Sequence, residues 1–343
     1  METRKVYVSG GSTYVISLPK KWVTKSKLKA GDSLVVTEQG GSLLIETSIA
    51  EKESKLKEIK ISQLTSSEAL ERLVIAFYLV GYDTIRIKLD RKDHIPYRKS
   101  IRKVLDYLIG VEIVEDTNDA MTLEIMVDYK RMNTMQILQR MYSINRSMLL
   151  DLGKALKNMD IGLAKDVMVR EREIDRLYFL VVRQLKSAVE YQQVAEKLGI
   201  KNQRDCLGYR IAVKVLERIA DHIENIAKSY IQLVEIQKDA PLGDFMKLNN
   251  SIVEIFEKAV DSLFKRNQVL AENIFQELKD IKKSHAEISN ELLQPKNIQS
   301  AILQKTMLDS LGRIAGYSAD LAEIAINMSA GAMDFGDNGG QEL

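Results

Sequence analysis

Two hydrophobic periodicities divide the chain. In residues 1–130, short apolar runs alternate with polar residues, which is typical of β-strands, and a few helical stretches separate them. From residue 131 onward, apolar residues recur at intervals of three and four, as they do on one face of an amphipathic helix. The pattern therefore predicts a first third of mixed α and β structure and a remainder that is all α-helical.

The all-helical part is predicted to contain an internal duplication. Its amphipathic stretches are 131–157, 161–196, 202–236, 242–267, 269–292 and 297–329. Leu198-Gly199 and the segment around Pro241 break the pattern, and Pro295 marks the last turn. Three helices, a break and three more helices predict two repeats, residues 131–236 and 241–330. In register, the segment from Leu163 matches that from Leu270, and the segment from Leu216 matches that from Leu311.

Residues 1–48 predict four short strands and one short helix. RKVYV and TYVISL flank the turn at Gly10-Gly11-Ser12, a helix covers Lys20 to Leu28, and SLVVTE and SLLIET follow. So short a segment makes a poor core alone, which predicts pairing with a second copy.

After a charged linker, residues 56–130 predict a small α/β domain, with Ser66 as an N-cap. The tail, residues 334–343, is polar and glycine-rich and is predicted to be disordered.

One helix carries an acidic stripe. Along Val215 to Lys228, Glu217, Asp221 and Glu224 lie opposite the apolar face. Carboxylates at this spacing repel one another, and a metal ion or cationic side chains remove that cost. The alternative is a solvated face that Arg218 and Lys228 neutralise.

Composition sets few further limits. The 50 Lys+Arg and 48 Asp+Glu nearly cancel, so a basic surface for nucleic acid has to be local. The single cysteine, Cys206, rules out an internal disulfide and fits a reducing compartment. No apolar run is long enough to span a bilayer, so a cytoplasmic protein without direct membrane insertion is expected. The basic cluster Arg98 to Lys103 reads as a solvated helix face, with a second anion-binding surface as the alternative.

The run RKVYVSGGSTYVISLPKKWVTKSKLKAGDSLVVTEQGGSLLIE resembles the AbrB/SpoVT family in its Arg-Lys-Val start, its Leu18-Pro19 before a lysine-rich helix and its Ala30-Gly31-Asp32 turn. The resemblance implies an interleaved, swapped-hairpin β-barrel dimer that binds DNA through one basic face. The candidate DNA-binding residues are Arg4, Lys5, Lys20, Lys21, Lys25 and Lys27. The alternative is a dimerisation module with ordinary surface lysines.

The helical region resembles PhoU, the phosphate uptake regulator family, in REREIDRLYFLVVRQL from Arg170 and LERIADHIENIAK from Leu216. That family is built from two three-helix bundles, and paired E(D)xxxD motifs on neighbouring helices bind metal ions. The matching positions here are Glu171 with Asp175 and Glu217 with Asp221, and Glu224 shares their face. These oxygen ligands favour a hard cation, namely iron, manganese or magnesium. In the second repeat the aligned residues are Leu278, Lys282, Gly312 and Gly316, so a second site is doubtful.

Together the resemblances imply a cytoplasmic regulator of phosphate uptake and homeostasis, at least dimeric, with promoter DNA and components of the phosphate ABC transporter as partners. No catalytic residue is predicted. Two alternatives remain open at this point. The first is an adaptor that dimerises through the barrel, does not bind DNA and docks on the transporter. The second is a metal-dependent enzyme that uses the carboxylate cluster, although no histidine has a glutamate three residues before it, as bundle-type di-iron oxidases require.

Overall fold

The computed structural model describes residues 2–39, 41–47, 55–90, 92, 94–129, 132–238, 240–293 and 297–330. Pro295 and the predicted disordered tail, 334–343, lie outside the described residues. The chain forms two compact units, residues 1–55 and residues 56–343. No helix in the described ranges is long and apolar enough to cross a membrane.

The first unit consists of two separate antiparallel hairpins and a short helix. Its elements are β1 (Val6–Ser9), β2 (Thr13–Ile16), α1 (Lys20–Lys25), β3 (Leu34–Gln39) and β4 (Ser42–Thr47). Gly10 and Gly11 have positive φ angles of 63° and 87°, which the tight β1–β2 turn requires and glycine supplies without strain. The helix ends three residues earlier than predicted, because Lys27 adopts a left-handed φ of 53°.

Apolar side chains of the first unit are left exposed on both faces of its first hairpin. The neighbours Tyr7 and Val8, which point to opposite faces of β1, are each 59% exposed, and Tyr14 on β2 is 76% exposed. None of the described residues in 2–47 is classed as buried. A single copy of this unit therefore has almost no hydrophobic core.

A small mixed sheet opens the second unit. Its elements are β5 (Leu56–Lys60), a 3₁₀ turn (Ile61–Gln63), α2 (Ser67–Val80), β6 (Thr84–Lys88), α3 (Ile95–Leu105), β7 (Val111–Asp116) and β8 (Ala120–Ile125). The strand order is β5-β6-β8-β7, with β5 and β6 parallel and the other pairs antiparallel. Ile85 and Ile87 of β6 are fully buried, while Arg86 between them is exposed. The predicted N-cap is confirmed, since the Ser66 hydroxyl accepts a hydrogen bond from the Ala69 amide at 3.2 Å.

Seven helices make up the rest of the second unit. They are α4 (Thr134–Asn158), α5 (Ile161–Glu190), α6 (Gln192–Lys197), α7 (Asp205–Ile236), α8 (Gly243–Lys265), α9 (Gln268–Glu291) and α10 (Ile298–Ala330). The stretch predicted as one helix over 161–196 is broken at Tyr191, whose backbone is extended. α7 packs against α4, α5 and α10, and α8 packs against α4, α9 and α10. One continuous core therefore joins the two predicted repeats, α4-α5-α7 and α8-α9-α10.

The turns confirm the duplication. Met159 after α4 and Arg266 after α8 both adopt a left-handed conformation, with φ of 54° and 49°. In each repeat the next residue caps the following helix: Asp160 accepts from the Leu163 amide at 2.9 Å and Asn267 accepts from the Leu270 amide at 3.1 Å. The same turn chemistry thus occurs at corresponding positions of the two repeats.

A buried arginine joins the sheet to the bundle. Arg183 of α5 is only 1% exposed, and it donates to the carbonyl oxygens of Tyr78 at 2.6 Å and Tyr82 at 2.8 Å. It also forms an ion pair with Asp83 at 3.1 Å. These contacts fix the end of α2 against the middle of α5, so that the α/β segment and the bundle pack as one body.

Candidate metal centre

The carboxylates predicted from the helical pattern meet where α5 and α7 pack side by side. Glu171 and Asp175 lie one turn apart on α5, and Asp221 faces them from α7. Each of these three side chains offers an oxygen atom, and the three oxygens lie within 4.8 Å of one another. No other group of this kind occurs in the part of the chain that the structure describes.

Crowding raises the pKa of each member of this carboxylate cluster. Burial, reinforced by the charges of Asp175, Glu224 and Asp221, raises the pKa of Glu171 to about 8. Burial and the charge of Glu217 raise the pKa of Asp175 as well. The pKa of Asp221 rises to about 6, mainly through loss of hydration and then through Glu217 and Asp175, even though the residue is exposed at its outer edge. In the metal-free protein, the carboxyl groups of the cluster are therefore harder to ionise than free carboxyl groups.

The other two predicted ligands, Glu217 and Glu224, border the cluster and are held by lysines. Lys214 donates to one carboxylate oxygen of Glu217, and Lys228 pairs with Glu224 at 2.6 Å. Lys228 thus has the neutralising role that the alternative interpretation gave it. Arg218 does not, because its guanidinium lies over the ring of Tyr317 on α10, 5.9 Å from the ring centre.

Glu217 departs from the prediction of an outward-facing acidic stripe. Glu217 is only 8% exposed, whereas Asp221, one turn further along the same stripe, is exposed. Its second carboxylate oxygen is buried and has no hydrogen-bond partner. A buried carboxylate oxygen without a partner is costly, and a bound cation is one way to satisfy it. Glu171, Asp175 and Asp221 fit a hard cation in the chemistry and the spacing of their oxygens, whereas Glu217 lies outside this group of three.

The second repeat lacks the cluster on the same scaffold. Leu278 is 9% exposed and belongs to the hydrophobic core. A Cβ atom on Gly312 would lie 3.0 Å from the His285 ring, so this position is filled by the packing of an imidazole. In the described part of this repeat, no group of three potential ligand side chains comes together.

The amino-terminal basic residues are partly brought together. Arg4, Lys20, Lys21 and Lys25 line one open groove with Glu2 and Thr24. Arg4 also forms an ion pair with Glu2 at 2.6 Å. Lys5 and Lys27 are exposed and do not line this groove. Four of the six candidate DNA-binding side chains therefore share one surface.

The second basic cluster, on α3, is partly neutralised within its own domain. Arg98 and Arg102 both form ion pairs with Asp116, and the distance from Arg102 is 2.7 Å. Lys103 pairs with Glu71 at 3.1 Å. Three of the four cations thus have a carboxylate partner within the domain, which favours the interpretation of the cluster as an ordinary helix face.

Two contacts in and around the carboxylate cluster were not predicted from the sequence: the ion pair of Lys214 with Glu217 and the contact of Arg218 with Tyr317. Lys214 stands three residues before Glu217, and helical spacing alone was a sufficient signal for this pair. The contact between Arg218 and Tyr317 joins different repeats, and no local pattern indicates it.

The fold and cluster define a multidomain protein with a duplicated three-helix bundle, a carboxylate cluster on its first repeat and a small β-rich amino-terminal unit. Comparison with known proteins agrees. The PhoU domain model matches residues 138–230, and the model of the antidote-toxin recognition protein MazE, a bacterial antitoxin, matches residues 7–54. Residues 138–230 therefore match a PhoU domain, and the amino-terminal segment matches a MazE/AbrB-like domain.

The chain is also similar to individual proteins. Over 175 residues, the chain is 23% identical to the phosphate-specific transport system accessory protein PhoU homolog 2 of Thermotoga maritima, which covers 50% of this chain and 73% of the relative. The fold of this chain is similar to that of PhoU from Pseudomonas aeruginosa in its crystal structure, with a TM-score of 0.52 and 22% sequence identity. The match covers 58% of this chain and 96% of that chain. The phosphate transport system regulatory protein PhoU from Streptococcus pneumoniae gives a TM-score of 0.50 and 18% identity, covering 58% of this chain and 94% of its own.

Proposed function

We propose that this protein regulates phosphate transport, with a hard cation bound at the carboxylate cluster and DNA bound by the amino-terminal unit. The observation that carries the proposal is the convergence of Glu171, Asp175 and Asp221 on a bundle of the PhoU fold. The names of the relatives supply the physiological process: one is an accessory protein and another a regulatory protein of phosphate transport.

The cation would be held by oxygen atoms from both α5 and α7. Glu171 and Asp175 approach from one helix and Asp221 approaches from the other. Glu217, one turn before Asp221 on α7, has one buried oxygen without a hydrogen-bond partner. Iron, manganese and magnesium all suit such a set of ligands. The bound cation would neutralise the carboxylates and join the two helices, and no chemical reaction is proposed for it.

Cation binding is tested on the full chain after removal of metal with a chelator. Titration with manganese, followed by calorimetry and by elemental analysis of the dialysed protein, is expected to show binding in the wild type. A Glu171→Gln/Asp175→Asn variant is expected to lose it. Glu173→Gln is the matched control, because Glu173 lies on the same helix but pairs with Arg140 at the surface. Unchanged metal content in the double variant would refute the assigned site and the metal-dependent enzyme alternative together.

DNA binding is supported by the groove that Arg4, Lys20, Lys21 and Lys25 line. Cationic side chains that share one surface can contact successive phosphates. A second copy of the chain would cover the exposed apolar residues of β1 and β2 and present two such grooves at once, which raises affinity through effective concentration. The homodimer is thus part of the proposal.

The decisive experiment is an electrophoretic mobility assay with DNA from upstream of the gene, titrated with salt. The wild type is expected to bind with a steep salt dependence, and Lys20→Ala/Lys21→Ala is expected to bind more weakly. Lys99→Ala, which removes a lysine from α3, is the control. Lack of binding even at low salt would favour the adaptor alternative, in which the amino-terminal unit only dimerises and the bundle docks on the phosphate transporter.

Regulation itself is tested in cells that lack the gene. Phosphate uptake is measured at high and low external phosphate, with the wild type, the Glu171→Gln/Asp175→Asn variant and the Glu173→Gln control supplied in turn. The wild type and control are expected to restore repression of uptake at high phosphate, and the cluster variant is not. Normal regulation in cells without the gene would overturn the proposal.

A further inference from the structure

Lys214 lies between two partners beside the carboxylate cluster. Its ammonium group donates to one carboxylate oxygen of Glu217, three residues further along α7, and it also lies 5.0 Å from the ring centre of Tyr178 on α5. Arg210, one turn earlier on α7, donates to the hydroxyl of the same tyrosine at 3.0 Å. The side chain of Lys214 is 35% exposed, so its flexible stem has room to change partners.

These contacts set the register of α5 against α7. Tyr178 lies three residues after Asp175 on α5, and Lys214 lies three residues before Glu217 on α7. Because Tyr178 contacts Lys214 while Asp175 lies close to Asp221, the two helices run antiparallel. One turn from the tyrosine–lysine contact towards the carboxylate cluster, Asp175 and Glu217 are therefore at the same level.

Glu217 is the fourth carboxylate at this level, but it does not join the other three. α5 contributes Glu171 and Asp175, one turn apart, while α7 contributes Asp221, and Glu217 stands one turn before it. One oxygen of Glu217 accepts from Lys214, and the other is buried without a partner. The ion pair with Lys214 is therefore the described contact that holds Glu217 apart from the group of three.

The second repeat has lost this lysine and this glutamate together. Extended by two residues, the alignment of Leu216 with Leu311 covers both positions. The contacting positions carry other residues there: His285 for Tyr178, Asp309 for Lys214 and Gly312 for Glu217. The first two of these positions still meet, with 3.8 Å between Nε2 of His285 and Oδ1 of Asp309. The scaffold thus keeps the packing without the pair, and the pair occurs in the repeat that has the carboxylate cluster.

We propose that Lys214 controls the affinity of the carboxylate cluster for a hard cation by competing for Glu217, the fourth carboxylate of the site. In the metal-free protein the ammonium group holds Glu217. When the site is filled, Glu217 leaves the ammonium group and completes a set of four carboxylates, two from each helix. This inference rests on the cation site of the proposed function and adds the residue that regulates it.

The contacts of Lys214 make this exchange possible. The ammonium group keeps its place over the Tyr178 ring and reaches solvent when Glu217 leaves, so it loses one partner and retains others. Glu217 gains a partner for its unsatisfied oxygen. A divalent cation attracts the carboxylate more strongly than a single ammonium charge does. The exchange therefore favours divalent over monovalent cations.

The test is calorimetric titration of the full, chelator-treated protein with manganese. Lys214→Met keeps an apolar stem and removes the competitor, so it is expected to raise the affinity about tenfold, the loss of one charge-assisted hydrogen bond that binding has to break. Arg210→Met is the matched control. It removes an equal charge from the same ring without touching Glu217, and it is expected to change the affinity less than about twofold.

A double-mutant cycle identifies Glu217 as the group for which Lys214 competes. In a Glu217→Gln background that carboxylate is gone, so adding Lys214→Met is expected to change the affinity no more than Arg210→Met does. An equal gain in both backgrounds would overturn the inference, because Lys214 would then act only through its charge.

Thermal unfolding separates competition from a purely structural role. Without metal, Lys214→Met is expected to unfold at a lower temperature than the wild type, because neither oxygen of Glu217 is then paired. Manganese is expected to raise the unfolding temperature of the variant more than that of the wild type. Equal rises in the two proteins would contradict the inference, since a structural lysine lowers stability with and without manganese alike.

Failure of this inference is distinguishable from failure of the proposed function. Wild type and Lys214→Met that bind manganese equally well would remove the competition and leave the cation site standing. Binding by Lys214→Met alone would support the competition and remove cation binding from the proposed function of the wild type. Absence of binding in both would overturn the site and the inference together, while the uptake measurement in cells decides the regulatory function by itself.

Discussion

The metal-free carboxylate cluster should make the protein less stable as the pH rises. The pKa of Glu171 is raised from 4.5 to about 8. Between these values the folded state keeps a proton that the unfolded state has released, so the free energy of unfolding falls as pH increases across this window. Asp221, raised from 3.8 to about 6, adds a contribution of the same sign at lower pH.

The size of the effect follows from the shift and the exposure. At about 1.4 kcal/mol per pKa unit, the raise of Glu171 from 4.5 to about 8 corresponds to an upper bound of about 5 kcal/mol. Because Glu171 is only partly buried, solvent screens the repulsion, and we expect about 1–2 kcal/mol. His222 acts in the opposite direction, since its pKa is lowered from 6.5 by burial, Arg313 and Arg218, and its contribution to stability grows as pH rises towards 6.5.

Comparison with a variant isolates the cluster from His222. Urea unfolding of chelator-treated wild type and Glu171→Gln is followed by circular dichroism between about pH 5 and about pH 8. The variant is expected to gain stability over the wild type as the pH rises, and manganese is expected to abolish the difference by stabilising only the wild type. Glu173→Gln should follow the wild type at every pH. Parallel curves for wild type and Glu171→Gln would refute the reasoning, because they would show that Glu171 ionises equally in the folded and unfolded states.

Three further predictions concern the scaffold. Arg183→Met removes the buried cation that contacts Asp83 and two carbonyl groups, and it is expected to lower the free energy of unfolding by about 3–5 kcal/mol. Hydrogen exchange in the last turn of α2 should become faster. Lys186→Met, on the same helix, is the control and should change little. Asp160→Ala and Asn267→Ala each remove a helix cap and should each lower the free energy of unfolding by about 1 kcal/mol in urea, with additive effects in the double variant. Gly110→Ala places a Cβ 3.0 Å from the Met126 carbonyl oxygen at a φ of +74° and should lower that free energy by about 1–3 kcal/mol, whereas Gly243→Ala, in open space, is the control.

Periodicity predicted the bundle because its signal is local. The stripe Val215, Ile219, Ile223 is fully or almost fully buried as the helical spacing requires. The two-repeat organisation was readable from register, and the turns at Met159 and Arg266 confirm it. The break at Tyr191 was missed because neither glycine nor proline stands near it, so no local signal competes with the helical pattern.

The environment of the carboxylates was harder to predict because it depends on which helix lies alongside. Spacing placed Glu217, Asp221 and Glu224 on one face but could not tell a solvated face from one covered by α5. The alternative in which Arg218 neutralises the acidic stripe also came from spacing, whereas the guanidinium of Arg218 lies over the ring of Tyr317. Periodicity thus gives the direction of a side chain around its own helix, and packing between helices decides its partners.

The second repeat provides a natural control for the first. It keeps the left-handed turn, the capping residue and the three-helix packing, yet it has Gly312 and Gly316 where the first repeat has Glu217 and Asp221. The fold consequently does not need these carboxylates. In the first repeat they repel one another and leave one buried oxygen unsatisfied, so they lower stability when no cation is present. The scaffold does not require this cluster, and the cluster burdens the metal-free protein. These two properties are the grounds on which we propose a cation there.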